Sequence, residues 1–110
     1  MKTSELQGAA LDWAVAKCEG QVSDSVRFMA IFTHQNKTKQ GYCWSTDWAQ
    51  AGPIIEREKI AIDWDHDCWN ASTDSHPAYY SAETPLVAAM RCYVASKLGD
   101  EVELTEELSA

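Results

Sequence analysis

A small layered sandwich of the α/β or α+β class is what this sequence predicts. It should have a mainly antiparallel three-stranded sheet, packed by N-terminal and C-terminal helices, with a short broken middle helix. Three observations lead there. Capped segments with apolar stripes stand near both ends, and the stretches between them hold short runs rich in strand formers. The connections, apart from one middle segment, are too short for the crossovers of a doubly wound sheet.

Ser4 followed by Gln7 reads as a capping box. After it, Leu6, Ala10, Trp13 and Ala14 form one stripe, widened by Leu11, Val15 and Cys18, with Glu5, Gln7, Asp12 and Lys17 on the polar side. Gly20 is the expected stop. The run from Ser25 to Thr33 predicts a strand with Val26, Phe28, Ala30 and Phe32 on one side, and His34 to Gly41 a polar connection. Thr46 or Asp47 should cap the next segment, in which Trp48, Ala51, Ile55 and Glu58 share a face. Gly52-Pro53 predicts a break there, because proline removes a helical hydrogen bond and crowds the preceding turn.

Ile60 to Trp64 alternates as a half-buried strand, Asp65-His66-Asp67 reads as a hairpin connection, and Cys68 to Ser72 as the partner strand. Asp74 to Tyr80 reads as irregular, since Pro77 argues against a central strand. Thr84-Pro85 opens the last helix, with Leu86, Ala89, Met90, Tyr93 and Val94 on its apolar stripe, Arg91 exposed and Gly99 at the stop.

A length of 110 residues fits a single domain, 1–110, with its core over about 4–99 and an acidic tail over 100–110. Asp100, Glu101, Glu103, Glu106 and Glu107 place five of the seventeen acids in that tail, which holds none of the nine bases. The remaining body is nearly balanced and has no basic cluster, so direct nucleic-acid binding is not expected. No apolar run approaches the roughly 20 residues of a membrane span, and no secretory leader is evident; a cytoplasmic protein with reduced thiols is the expectation. Cys18, Cys43, Cys68 and Cys92 form no CxxC pair.

Asp63, Asp65, His66, Asp67 and Cys68, with His76 further on, are the weak metal candidates. Their simpler role is to cap backbone groups in turns, and neither a metal nor another cofactor is expected. No residues are assigned as catalytic. Five tryptophans exceed the needs of so small a core. Trp44, Asp47, Trp48, Tyr79 and Tyr80 are therefore the candidate binding residues, as aromatic surface for a protein partner or a second copy. Two other classes stay open. One is a small-molecule or metal-dependent enzyme using Asp63 to Cys68 and the Ser45 to Asp47 turn. The other is an acidic mimic of nucleic acid.

Three blocks, Ala9 to Gly20, Ser45 to Glu58 and Thr84 to Asp100, resemble the NinX-like family of lambdoid phage and prophage proteins. The resemblance extends from about Leu6 to Glu107. More weakly, the order of elements is similar to that of phage alpha-beta-alpha sandwich domains. What the family resemblance implies is phage or prophage context, with no biochemical activity to carry over; together with the aromatic surface, the expectation is an accessory protein that binds a host or phage protein.

Overall fold

The computed structural model describes residues 2–19, 44–74 and 76–102, with the side chains at 9 and 76–78 outside that set. The expected strand from Ser25 to Thr33, the His34 to Gly41 connection, the stop at Gly20, Tyr42, Cys43 and the tail beyond Val102 lie outside the described residues.

A 3-10 turn (Thr3–Glu5) leads into α1 (Gly8–Cys18), and α2 (Trp48–Glu58) opens the second described stretch. Then come β1 (Ala61–Asp65), β2 (Cys68–Thr73), β3 (His76–Ala82) and α3 (Pro85–Leu98). The fold is α+β. An antiparallel sheet of order β1-β2-β3 is flanked by three helices among the described residues.

The pairing register sorts the sheet into two faces. Ile62, Ala71 and Tyr80 lie in one row, and Trp64, Trp69 and Ala82 in the next. Ala71 and Tyr80 are buried, with Ile62, Trp69 and Ala82 packed against the core. Alternation puts Asp63, Asn70, Ser72, Tyr79 and Ser81 on the other face.

Helix α3 covers the apolar face, contacting β2 and β3 on one side and α1 and α2 on the other. It is therefore buried nearly all round: Ala88, Cys92 and Ala95 join Leu86, Ala89, Met90, Tyr93 and Val94 in the core. The single stripe read from the sequence was too narrow for a helix sandwiched between two layers. Likewise α1 packs chiefly on α3 rather than on the sheet, and every residue from Ala10 to Ala16 is buried, Asp12 included.

Four local expectations are corrected. Ser4 lies in the 3-10 turn and does not cap α1, which starts at Gly8 after extended Gln7. Gly8 takes φ +56°, a conformation that a residue with a Cβ adopts only under strain. Second, α2 runs unbroken through Gly52-Pro53. Gly52 has no Cβ to clash with the proline ring, and Ala49, whose carbonyl loses its N–H donor, is exposed to water. The inward face of α2 is also rotated from the expected one, with Ala51 and Ile54 buried and Trp48 exposed. Third, the segment around Pro77 is a strand. β3 is at an edge of the described sheet, and its pairing with β2 shifts register between Ala71 and Thr73, where an unpaired proline fits. Fourth, Arg91 is half-buried, not exposed.

The chain ends of the body are stitched together. Thr3 N–H donates to the Asp100 carbonyl at 2.8 Å, and buried Thr3 Oγ1 donates to the Gly99 carbonyl at 2.7 Å. Tyr80 Oη donates to Asp100 Oδ1 at 2.7 Å, and burial together with that carboxylate pushes the phenol up to about 12.

An ionic cluster joins the three helices. Arg57 makes two bonds to Glu19, at 2.7 and 3.3 Å, and one to Glu58 at 2.9 Å; Lys97 reaches Glu58 at 3.2 Å. Tyr93 Oη donates to Glu19 and accepts from Arg57 Nη2 at 3.1 Å. Burial raises the Glu19 pKa, but the bonds from Arg57 and Tyr93 outweigh it and hold the carboxyl below its ordinary value of 4.5. The Arg57 bond does the same for Glu58. Carboxyls with depressed folded pKa values stabilise fully above pH 4.5, and that contribution is lost as pH falls through the lower folded values. Denaturation midpoints measured across pH 7 to 2 should stay level down to about pH 5 and then drop. In Arg57→Gln the drop should be shallower; an equal slope would remove this cluster from the acid response.

Candidate functional site

The turn at residues 44–46 is held against α1 by a buried carboxylate. Asp12 Oδ1 accepts the Ser45 N–H at 2.7 Å. Asp47 then caps α2, its Oδ1 accepting the Ala49 N–H at 2.9 Å and its Oδ2 the Gln50 side-chain amide at 3.2 Å. Asp47 and not Thr46 is thus the cap. It fixes Trp48 as the first helical residue, with the indole 56% exposed.

Opposite this turn stands the N-terminal end of α3, where Thr84 Oγ1 accepts the Val87 N–H at 3.2 Å. Between them lies an open cleft of about 770 Å³, lined among others by Gly8, Ser45, Thr46, Glu83, Thr84 and Arg91. A second cavity of about 370 Å³ shares Ser45, Thr46 and Thr84 with it and adds Trp48, Pro85 and Leu86. The two are one groove by shared walls.

Arg91 reaches the cleft from the second turn of α3. Its Nε donates to the Leu6 carbonyl and its Nη1 to the Ser81 carbonyl, each at 2.7 Å. Burial lowers its pKa from the usual guanidinium value. Sequence reasoning missed this residue and the burial of Asp12. The spacing Thr84, Val87, Arg91 was the available signal, because it puts the arginine on the same helix face as the N-cap.

A smaller cavity of about 220 Å³ lies on the open sheet face, lined by Asp63, Asn70, Ser72 and Tyr79. Asn70 Oδ1 accepts from Ser81 Oγ at 2.5 Å. Trp64, paired across the strands with Trp69 at 5.2 Å between ring centroids, is 57% exposed, and Tyr79 is 68% exposed.

The candidate binding residues are thus divided. Trp44 and Tyr80 are buried core residues, contrary to the surface role read for them. Trp48 lines the α2–α3 groove, whereas Tyr79 lines the open-face cavity. Among the metal candidates, Asp65 ends β1 while His66 and Asp67 form the two-residue turn between Asp65 and Cys68. His76 pairs with Thr73 in the sheet, and its side chain is outside the described set. Among the described residues, no three His, Cys, Asp or Glu side chains converge as a metal site. Burial pushes the Cys18 thiol up to about 12 and the Cys92 thiol up to about 11, which favours the neutral thiol at both. The cleft offers hydrogen-bond donors from Ser45, Thr46, Thr84 and Arg91.

Among the described residues, no helix is long and apolar enough to cross a membrane. No curated protein matches the chain. The family model described as "Bacteriophage P22, NinX" matches residues 2–97, nearly the whole chain. The chain belongs to the NinX family of phage and prophage proteins, as an accessory protein of unknown biochemical activity.

Proposed function

We propose that this protein works by binding another protein, host or phage, in the cytoplasm, and that the partner presents a basic surface to the β1–β2 hairpin and the open sheet face. The observation that carries this reading is the exposure of Tyr79 on the open face with the carboxylates Asp63 and Asp65, and of Trp64 and Asp67 at the hairpin that borders it. Large aromatics supply rigid contact area, while the carboxylates favour Lys and Arg across the interface. Charge also argues against a second copy here, because two chains of net charge -8 would bring acidic faces together. Free thiols at Cys18, Cys68 and Cys92 agree with a reducing compartment.

A partner captured from lysogenic cells should be recovered at least about tenfold less well by a folded Trp64→Ala, Tyr79→Ala variant, and its binding should weaken with salt. The contacting surface, mapped by cross-linking, should be rich in Lys and Arg. Equal recovery by the variant, an acidic partner surface, or a dimer in sedimentation that the variant abolishes would each overturn the proposal.

A further inference from the structure

The cleft between the 44–46 turn and α3 is lined by a guanidinium that forms no ion pair and a hydroxyl that has no hydrogen bond among the described residues. Among the described residues, Arg57 and Lys97 both have carboxylate partners, whereas Arg91 is held by two carbonyl oxygens. Those bonds use two of the five guanidinium N–H groups, so three remain. Ser45 is only 3% exposed and lines both parts of the groove, yet its Oγ has no hydrogen-bond partner among the described residues. A buried hydroxyl is rarely left in that condition unless something else satisfies it. The third contributor is the start of α1. Its N-cap, Gln7, makes no side-chain cap, and Gln7 and Gly8 line the same cleft, where the free N–H groups and the positive helix end favour an anion.

We propose that this cleft binds a phosphomonoester, with its phosphate between Arg91, Ser45 and the N-terminus of α1 and its organic part extending toward Trp48. Residues carrying donors line the cleft from three separate elements, α3, the 44–46 turn and α1. Three unesterified phosphate oxygens can engage all three, whereas a carboxylate has only two oxygens. The cleft is far larger than a phosphate and falls in the range of small-molecule sites, so it has room for an organic body. Glu83, exposed on the rim, would repel a bare anion weakly through water and can accept hydroxyl protons from that body. The half-exposed indole of Trp48, in the adjoining cavity, offers a flat apolar surface for a ring.

Calorimetric titration of the full chain with 5′-adenosine monophosphate, inorganic phosphate, adenosine and acetate tests the assignment. The nucleotide should bind, inorganic phosphate should displace it, and adenosine and acetate at equal concentration should not bind. Ser45→Ala removes a hydroxyl that bonds to no described residue, so it should weaken the nucleotide about five- to tenfold without lowering the melting temperature. Arg91→Gln should weaken it by more than about tenfold, and if that variant fails to fold, Ser45→Ala alone decides. No heat or displacement with either phosphate probe at millimolar concentration would overturn the proposal. So would wild-type affinity in Ser45→Ala, or acetate competing as well as phosphate.

Discussion

Replacing Met90 with alanine should destabilise the protein by about 2 to 5 kcal/mol, measured by urea denaturation at neutral pH. Met90 is wholly buried in α3, the helix that the sheet and the other two helices share. The vacated volume opens between layers held by several elements, so collapse around it is difficult, and the cavity adds to the lost transfer energy. Leu86→Ala, at the same helix's first turn, should fall in the same range but toward its lower end, because that residue is slightly exposed. A loss below about half a kcal/mol for both would contradict the placement of α3 at the centre of the core.

Asp12→Ala should cost about 1.5 to 3 kcal/mol, the scale of a hydrogen bond to a charged group. The carboxylate accepts the Ser45 N–H from within a helix otherwise buried in apolar contact, and its removal leaves that N–H without its acceptor. Asp12→Asn keeps an oxygen acceptor of nearly the same shape and should cost clearly less. Denaturation curves separate the two variants, and amide exchange at Ser45 should accelerate in Asp12→Ala more than at positions within α3. Equal stability of the wild type and Asp12→Ala would mean that the 44–46 turn is held by something else.

The elements of this fold were largely legible along the chain. Thr84-Pro85 and Gly99 bracket α3 because caps and stops act over only a few residues. The hairpin at Asp65 to Cys68 follows from alternation on either side of a polar pair. Pro53 and Pro77 misled for one reason: proline's cost depends on what surrounds it. A Cβ-free neighbour and open solvent reduce that cost in α2, and an edge position with a register shift reduces it in β3.

The candidate site was less legible. The capping turn at Asp47 could be read because a cap and its helix are adjacent in sequence. Trp44 and Tyr80 could not be separated from Trp48 and Tyr79, since side chains of one type carry no mark of burial. Arg91 and Asp12 were read as surface residues on charge alone. Their placement depends on partners far along the chain, Arg91 meeting the Leu6 carbonyl and Asp12 meeting the Ser45 N–H.

By itself, then, the sequence determined a small layered α/β or α+β fold, the cap of α3 at Thr84-Pro85, the β1–β2 hairpin and the family to which the chain belongs, all of which rest on local pattern or on long matching blocks. Only the tertiary structure decided that α3 is central, that the sheet keeps one polar face, and that Arg91 and Ser45 line one cleft. Burial and desolvation are properties of the whole packed arrangement, so the same residue is solvated or enclosed according to which distant segment lies against it.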